Sequence, residues 1–173
     1  MIRLRKFVVG TSVPLRVMNR LLQTLSLHVW LGIIVLLLLL TACNSSNSEP
    51  TPPTIHPGET ICEFCGMIVS EERFAAGYVT KDGQERVFDD IADMVQFHAE
   101  RREDVPAFFV RDFENPVWIR AEKAHYVQSD NITTPMLSGI VAYESLEKAE
   151  AKAAESEGKL LTFEELLSLY GAD

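Results

Sequence analysis

The sequence predicts an α+β domain of two similar halves, which follows a targeting segment and a flexible tether. One observation is that strands, a helix and a further strand occur in this order twice after residue 60, a pattern typical of α+β folds. The other is length, because roughly 110 residues are enough for one compact domain. We expect the domain at 60–173, with approximate halves 60–114 and 115–173.

Residues 1–42 have the composition of a signal peptide. They carry five basic side chains and no acidic one, and they contain a long apolar run that ends at Leu40-Thr41-Ala42-Cys43. This end is similar to a bacterial lipobox, in which the cysteine is acylated, so we expect Cys43 to be the site of lipid attachment. The alternative is an uncleaved transmembrane anchor. Either would hold the domain at the extracytoplasmic face of a bacterial membrane, and translation would start at Met1 or Met18.

Residues 43–59 are rich in Ser, Pro and Asn and poor in apolar side chains, so they predict a flexible tether. His56 lies in this tether and is expected to be solvated. Without residues 1–42 the chain has 16 − 5 = 11 basic and 25 acidic side chains, a net charge of −14 with His neutral. A nucleic-acid partner is therefore excluded, because phosphate binding needs a basic surface.

The first half is predicted to contain a hairpin, a helix and a strand. The segment "RFAAGYVTKDGQERVFDD" predicts two strands joined at Lys81-Asp82-Gly83, because an Asp-Gly pair favours a tight turn. Asp89 or Asp90 is expected to cap the helix "IADMVQFHAERRE". The apolar segment "PAFFVRDF" predicts the strand that follows.

The second half repeats this order. Two short strands are predicted in "PVWIRAEKAHYVQS" and another in "GIVAYE", with a polar loop between them. Ser145 is expected to cap the helix "LEKAEAKAAESE", and Gly158 to end it. The segment "KLLTF" predicts a last strand, and Thr162 with Glu165 forms a capping-box pattern before "FEELLSLYG".

The segment "TICEFCGMIVS" contains the pair Cys62 and Cys65, for which several chemistries are open. A thioredoxin-type dithiol needs a helix that begins at the cysteines, whereas glycine and β-branched residues follow Cys65. Structural zinc needs four ligands, commonly two CxxC pairs or one CxxC with two histidines. This domain offers one CxxC with His98 and His125, which are 27 residues apart, so the zinc pattern is incomplete. Thiol-disulfide exchange and zinc binding thus remain alternatives.

Cu(I) is the metal that fits these residues best, because it is soft and selects thiolate and thioether sulfur with as few as two ligands. Met67 and Met136 lie in loop contexts beside Gly66 and Pro135, where core packing explains them poorly. If the two halves pack together, their methionine loops can form one site at the junction. His125 could complete this site through an imidazole nitrogen.

Other residues are assigned to the core or to the surface. Met94 and His98 lie on the apolar stripe of the first helix, so we expect them to pack there. No serine has the sequence context of a nucleophile. The acidic residues of the predicted helices are expected on their solvent-exposed faces. The sequence therefore predicts a protein that is not an enzyme, with a plain structural lipoprotein as a further alternative.

The chain resembles the NosL family, the accessory lipoproteins of nitrous oxide reductase maturation. The matching segments follow a lipobox, occur in the order of the family and cover nearly all of Thr60 to Leu167: "CEFCGMIV", "FAAGYVTKDGQERVFDDIADM", "FVRDF", "WIRAEKAHYV", "TPMLSGIVAY" and "GKLLTFEEL".

The resemblance implies a fold of two ββαβ-type units and a Cu(I) chaperone. Its expected partner is the apo-protein of a multicopper reductase, namely nitrous oxide reductase, or the assembly factors of that enzyme. Cys65 and Met136 are the metal ligands that it implies first, with Cys62 and Met67 next. His125 lies where the family often has tyrosine, so the resemblance does not extend to it.

Overall fold

The structure is a computed structural model that describes residues 49–171. The predicted signal peptide, the predicted lipid-attachment site Cys43 and both candidate start codons lie outside these residues. Within the described part of the chain, no helix has the length and apolar character that crossing a membrane requires.

The first repeat forms a four-stranded antiparallel sheet with one helix. The strand order is β2-β1-β3-β4. A short 3₁₀ helix, Glu72–Phe74, precedes the sheet. The elements are β1 (Ala76–Val79), β2 (Glu85–Phe88), α1 (Ile91–Arg101), β3 (Phe108–Arg111) and β4 (Trp118–Arg120).

The second repeat forms a three-stranded antiparallel sheet with two helices. Its strand order is β6-β5-β7. The 3₁₀ helix Ala121–Lys123 connects it to the first repeat. The elements are β5 (His125–Gln128), β6 (Ile140–Tyr143), α2 (Leu146–Glu155), β7 (Lys159–Leu161) and α3 (Phe163–Leu169).

The two sheets share one topology, which confirms the prediction of two ββαβ units in an α+β domain. In each repeat the first strand lies in the middle, the second strand lies on one side of it, and the strand after the helix lies on the other. One predicted strand belongs elsewhere, however. The first strand of "PVWIRAEKAHYVQS" is β4, which pairs with β3 and extends the first sheet instead of starting the second.

The predicted helix starts are present in the structure. Asp90, and not Asp89, caps α1 by accepting a hydrogen bond from the backbone N–H of Ala92. Ser145 caps α2. Thr162 and Glu165 form the reciprocal capping box of α3.

The end of α2 differs from the prediction. The helix stops at Glu155, and Glu157 rather than Gly158 has the left-handed backbone, with φ of 53°. Gly158 is required for a different reason: a Cβ there would lie 2.9 Å from the backbone oxygen of Gln128. The absence of a side chain thus lets the chain after α2 approach β5.

The folded part of the chain begins by Pro53, earlier than the residue 60 that the composition indicated. Pro53 is buried against β1, since a Cβ on Gly77 would lie 2.7 Å from the ring of Pro53. Ile55 packs on a small cluster with Val69, Ala75 and Val87. These contacts fix a segment that looks like tether by composition alone.

The main core lies between the two repeats and surrounds α1. It includes Phe88 and Met94 from the first repeat and Tyr126 and Leu166 from the second. The predicted packing of Met94 is thus confirmed, and this methionine is fully buried. The core fixes the start of α1 relative to the β5–β6 hairpin, and the candidate site lies at this start.

Candidate metal centre

The two cysteines lie on a small hairpin and not at the start of a helix. Ile61 and Ile68 form an antiparallel bridge, and the backbone N–H of Cys62 donates to the oxygen of Met67 at 2.8 Å. Gly66 makes the turn, with φ of 74°, a conformation that glycine adopts without strain. Neither cysteine therefore lies at the first residues of a helix of its own, the position that a thioredoxin-type dithiol occupies.

The two thiols differ in exposure. Cys62 belongs to the main core and is 1% exposed, whereas Cys65 is half-buried at its edge. Backbone N–H groups of Phe64, Cys65 and Asp89 are directed at the sulfur of Cys62. Such donors stabilise a thiolate, so the hairpin can hold sulfur in the form that binds metal.

Two aspartates from the start of α1 complete a cluster with the thiols. The thiol of Cys65 donates to Oδ1 of Asp89 at 3.4 Å, and the thiol of Cys62 donates to Oδ2 of Asp93 at 3.5 Å. Asp89 precedes the helix cap, and Asp93 lies one turn later on the same face. One ligand atom from each of the four residues lies within 4.8 Å of the other three, an arrangement that could hold one metal ion.

Burial sets the charge of this cluster. It raises the pKa of the Cys62 thiol far above its ordinary value, and it also raises that of Cys65. The pKa of Asp93 rises to about 6, first because the carboxyl is buried and then because Asp89 and Asp90 add negative charge. In the absence of a cation the thiols are therefore protonated at neutral pH, and a bound cation would favour their ionised forms.

The loop that carries Met136 is bound to the start of α1. Thr134 Oγ1 donates to Oδ2 of Asp90 at 2.6 Å, and the backbone N–H of Met136 donates to the same oxygen at 3.2 Å. Asp90 directly follows Asp89, which contacts Cys65. The structure thus brings the Met136 loop of the second repeat to the helix end that carries the cluster.

Both predicted methionines have side chains that reach solvent. Met67 follows Cys65 by two residues on the cysteine hairpin and is 46% exposed, and Met136 is 37% exposed. These fractions are high for apolar side chains, which confirms that core packing does not explain either residue. A thioether is a ligand that a soft metal accepts, and an exposed one is accessible from solvent.

The structure does not bring the predicted histidine to this cluster. His125 pairs with Tyr143 at one end of the β5–β6 hairpin, and the Met136 loop joins the strands at the other end. Three residues of strand separate His125 from the loop end of β5, roughly 10 Å. His98 packs on Tyr78 and Phe108, as its place on the helix stripe predicted.

The sequence analysis missed Asp89 and Asp93 as site residues. Their spacing of four residues at a helix start was the available signal, because it places two carboxylates on one face. The sequence predicts Asp89 or Asp90 as a helix cap and the other acids of the helix as solvated, and neither expectation indicates a metal site. With these carboxylates the cluster reaches the four donors that zinc prefers, whereas the fold does not bring His98 and His125 to the thiols.

Comparisons with known proteins agree with this architecture. The family model of NosL matches residues 53–169, and its first residue is the proline at which the folded part begins. A solved structure titled "Crystal structure of the copper chaperone NosL from Shewanella denitrificans" has a similar fold, with a TM-score of 0.59 at 22% sequence identity. The similarity covers 67% of this chain and 96% of that chain.

No curated protein matches the sequence significantly. The family model, by contrast, spans both repeats, the cysteine hairpin and the Met136 loop, which together make up most of the chain. The chain is therefore a member of the NosL family.

Proposed function

We propose that this protein is a Cu(I) chaperone that holds the ion at the cysteine hairpin and passes it to an acceptor protein. The observation that carries the proposal is that two thiols lie at the start of α1, to which the loop of the exposed Met136 is bound, while the exposed Met67 lies on the cysteine hairpin. Membership of the NosL family supports it, as does the similarity to a protein whose title names it a copper chaperone.

Sulfur chemistry is the reason to choose Cu(I). Thiolate and thioether ligands select Cu(I) over harder ions, and a thioether needs no deprotonation. We assign Cys65 and Met136 as the first ligands, with Cys62 and Met67 as exchanging ones. His125 is left out because it lies at the far end of its hairpin.

The aspartates have a role in loading. Each thiol must lose a proton to bind the ion, and each has its own acceptor: Asp89 Oδ1 for Cys65 and Asp93 Oδ2 for Cys62. The thiol proton moves to the carboxylate as sulfur binds the cation. Return of the proton to sulfur accompanies release.

Exposure of the thioethers supports transfer. A site with two or three sulfur ligands at the surface leaves a position open to a ligand of the acceptor, so the ion can pass through a shared intermediate without entering water. Cys62 is buried and holds the inner side of the site, whereas Met67 and Met136 are open to solvent.

The acceptor and the location follow from the family resemblance and from the sequence before the domain. We propose that the acceptor is the apo-protein of a multicopper reductase, namely nitrous oxide reductase, or one of the assembly factors of that enzyme. We also propose attachment to the extracytoplasmic face of a bacterial membrane through lipid on Cys43. Both proposals are separate from the metal site itself.

Titration with Cu(I) in reducing buffer, in competition with a chromophoric chelator, tests the proposal. The double variant Cys65→Ser with Met136→Ala should weaken binding by more than the roughly 10- to 100-fold that loss of an outer-shell partner costs. Met94→Leu is the matched control, because Met94 is a methionine of the core. Wild-type affinity in the double variant would contradict the assignment.

The same titration with Zn²⁺ separates the two metals that the cluster could take. Thiolate and carboxylate donors suit zinc, whereas the thioethers favour copper. We expect Met136→Ala to weaken the binding of Cu(I) and to leave that of Zn²⁺ unchanged. An equal loss for both metals would mean that the methionine acts through folding and not as a ligand.

Thiol-disulfide exchange was the alternative function. Reactive cysteines have lowered pKa values, whereas burial raises the pKa of both thiols here. The cysteines also precede a turn and not a helix. We therefore expect that the dithiol form does not reduce insulin. Rapid reduction would favour a thiol-disulfide oxidoreductase instead.

A further inference from the structure

Asp90 accepts far more hydrogen bonds than a helix cap requires. It is fully buried, and Oδ1 accepts from the backbone N–H of Ala92 at 2.9 Å and from Ser138 Oγ at 2.6 Å. Oδ2 accepts from Thr134 Oγ1 at 2.6 Å and from the backbone N–H of Met136 at 3.2 Å. Only the bond from Ala92 caps α1, and the other three hold the methionine loop.

We propose that Asp90 is the positioning residue that holds the Met136 thioether at the cysteine site. This inference rests on the proposed function, because it concerns the binding of Cu(I). Four donors fill the acceptor positions of the carboxylate, and a buried carboxylate is stable only when such bonds are made. The loop therefore has one favoured arrangement relative to α1.

The loop itself is tightly folded around this contact. Leu137 and Gly139 both have positive φ, 57° and 67°, and a Cβ on Gly139 would overlap the backbone oxygen of Ser129. Thr134 Oγ1 accepts from the backbone N–H groups of Ser138 and Gly139. The turn is thus fixed internally, and its bonds to Asp90 fix it to the helix.

The same helix end supplies Asp89 and Asp93, which contact the two thiols. Asp90 therefore holds the loop of Met136 at the same helix end that contacts Cys62 and Cys65, although the methionine and the cysteines belong to different repeats. Residues of this kind, which orient ligands without contacting the metal, typically change metal affinity by roughly 10- to 100-fold.

The variant Asp90→Asn separates positioning from capping. Asparagine has the same shape and caps helices as well as aspartate, so its oxygen can still accept from Ala92. Its NH₂ group then replaces Oδ2 and faces the N–H of Met136, which leaves two donors opposed. We expect this variant to fold and to release the methionine loop.

A double-mutant cycle on the affinity for Cu(I) tests the inference. Met136→Ala and Asp90→Asn should each weaken binding, the latter by roughly 10- to 100-fold. The affinity of the double variant for Cu(I) should equal that of whichever single variant binds less tightly, because Asp90 acts through Met136. Ser145→Ala, which removes the cap of α2, should keep wild-type affinity.

The outcomes are distinct. Full additivity in the cycle, or wild-type affinity in Asp90→Asn, would overturn the positioning role and leave the proposed function intact. If Asp90→Asn does not fold, Ser138→Ala removes a single bond to the carboxylate and must show a smaller effect that also disappears in the Met136→Ala background. Wild-type Cu(I) affinity in Cys65→Ser would overturn the proposed function itself.

Discussion

Sγ of Cys62 lies 3.5 Å from Oδ2 of Asp93, a residue 31 positions later in the chain. The contact joins a core thiol to a buried carboxyl at the start of α1. A protein without bound cation has to keep both groups out of water, and burial raises the pKa of each. Burial of these two groups in the metal-free site should therefore lower the free energy of unfolding of the domain, which can be measured.

Asp93→Asn should stabilise the metal-free domain at neutral pH. The pKa of Asp93 is raised from an ordinary value of 3.8 to about 6, so the folded state binds its proton more tightly than the unfolded state. Stability then falls as pH rises through this window, by about 3 kcal/mol. Denaturant unfolding at pH 8 should show this gain for the variant, and at pH 3.5 the gain should vanish.

Asp130→Asn is the control for this comparison, because Asp130 is an exposed acid. It should leave unfolding unchanged at both pH values. A variant at residue 93 that is less stable than the wild type at pH 8 would contradict the prediction.

Cys62→Ser and Cys65→Ser should differ in folding although both remove a thiol. Cys62 is enclosed by the main core, so a hydroxyl there should lower the free energy of unfolding by about 1 to 2 kcal/mol. Cys65 is half-buried, and its replacement should cost less than about 0.5 kcal/mol. Urea unfolding in reductant without metal measures both, and equal losses would show that the two sites are packed alike.

Leu137→Asn should stabilise the domain without changing metal affinity. Leu137 has a left-handed backbone, with φ of 57°, and is 79% exposed. Asparagine adopts this conformation more readily than leucine, and the gain should be about 1 kcal/mol. Leu137→Ala is the matched control, because it removes the exposed side chain and keeps the strain; a gain in alanine as well would point to the side chain instead.

Glu103→Gln should lose stability in a manner that depends on pH. Arg86 donates to Glu103 at 2.8 Å and Tyr78 donates at 2.7 Å, and the arginine bond is the main reason that the pKa of Glu103 lies below its ordinary value. The charged form therefore stabilises the fold above about pH 4.5. This contribution disappears as pH falls through the lowered pKa.

At pH 7 the glutamine variant should be less stable by about 1 kcal/mol, and this difference should narrow as pH falls below about 4.5. Thermal unfolding across this range measures the difference. Glu147→Gln, at an exposed position of α2, should show no such convergence. A constant difference between pH 3 and pH 7 would show that the effect is steric.

Local features of the fold could be predicted from the sequence because they depend on neighbouring residues. The hairpin at Gly83 and the caps at Ser145 and Thr162 each follow from a short motif. The repeat was also visible, since the order of elements recurs. The partner of β4 was not, because strand pairing across the two halves depends on tertiary packing.

The two thiols of the cluster could be predicted from the sequence, and its two carboxylates could not. Cys62 and Cys65 are marked by a compact motif. Asp89 and Asp93 become site residues only through contacts that span 24 and 31 positions. His125 was misplaced for the same reason, since the register of β5 and β6, which a single sequence does not reveal, decides the end at which it lies.

The burial of Cys62 has a practical consequence. The sulfur atom of Cys62 belongs to both the hydrophobic core and the proposed metal site. Binding of the ion should therefore raise the melting temperature of the whole domain. A melting curve with a fluorescent dye, recorded with and without the ion, would then reveal loading even when the ion itself is colourless.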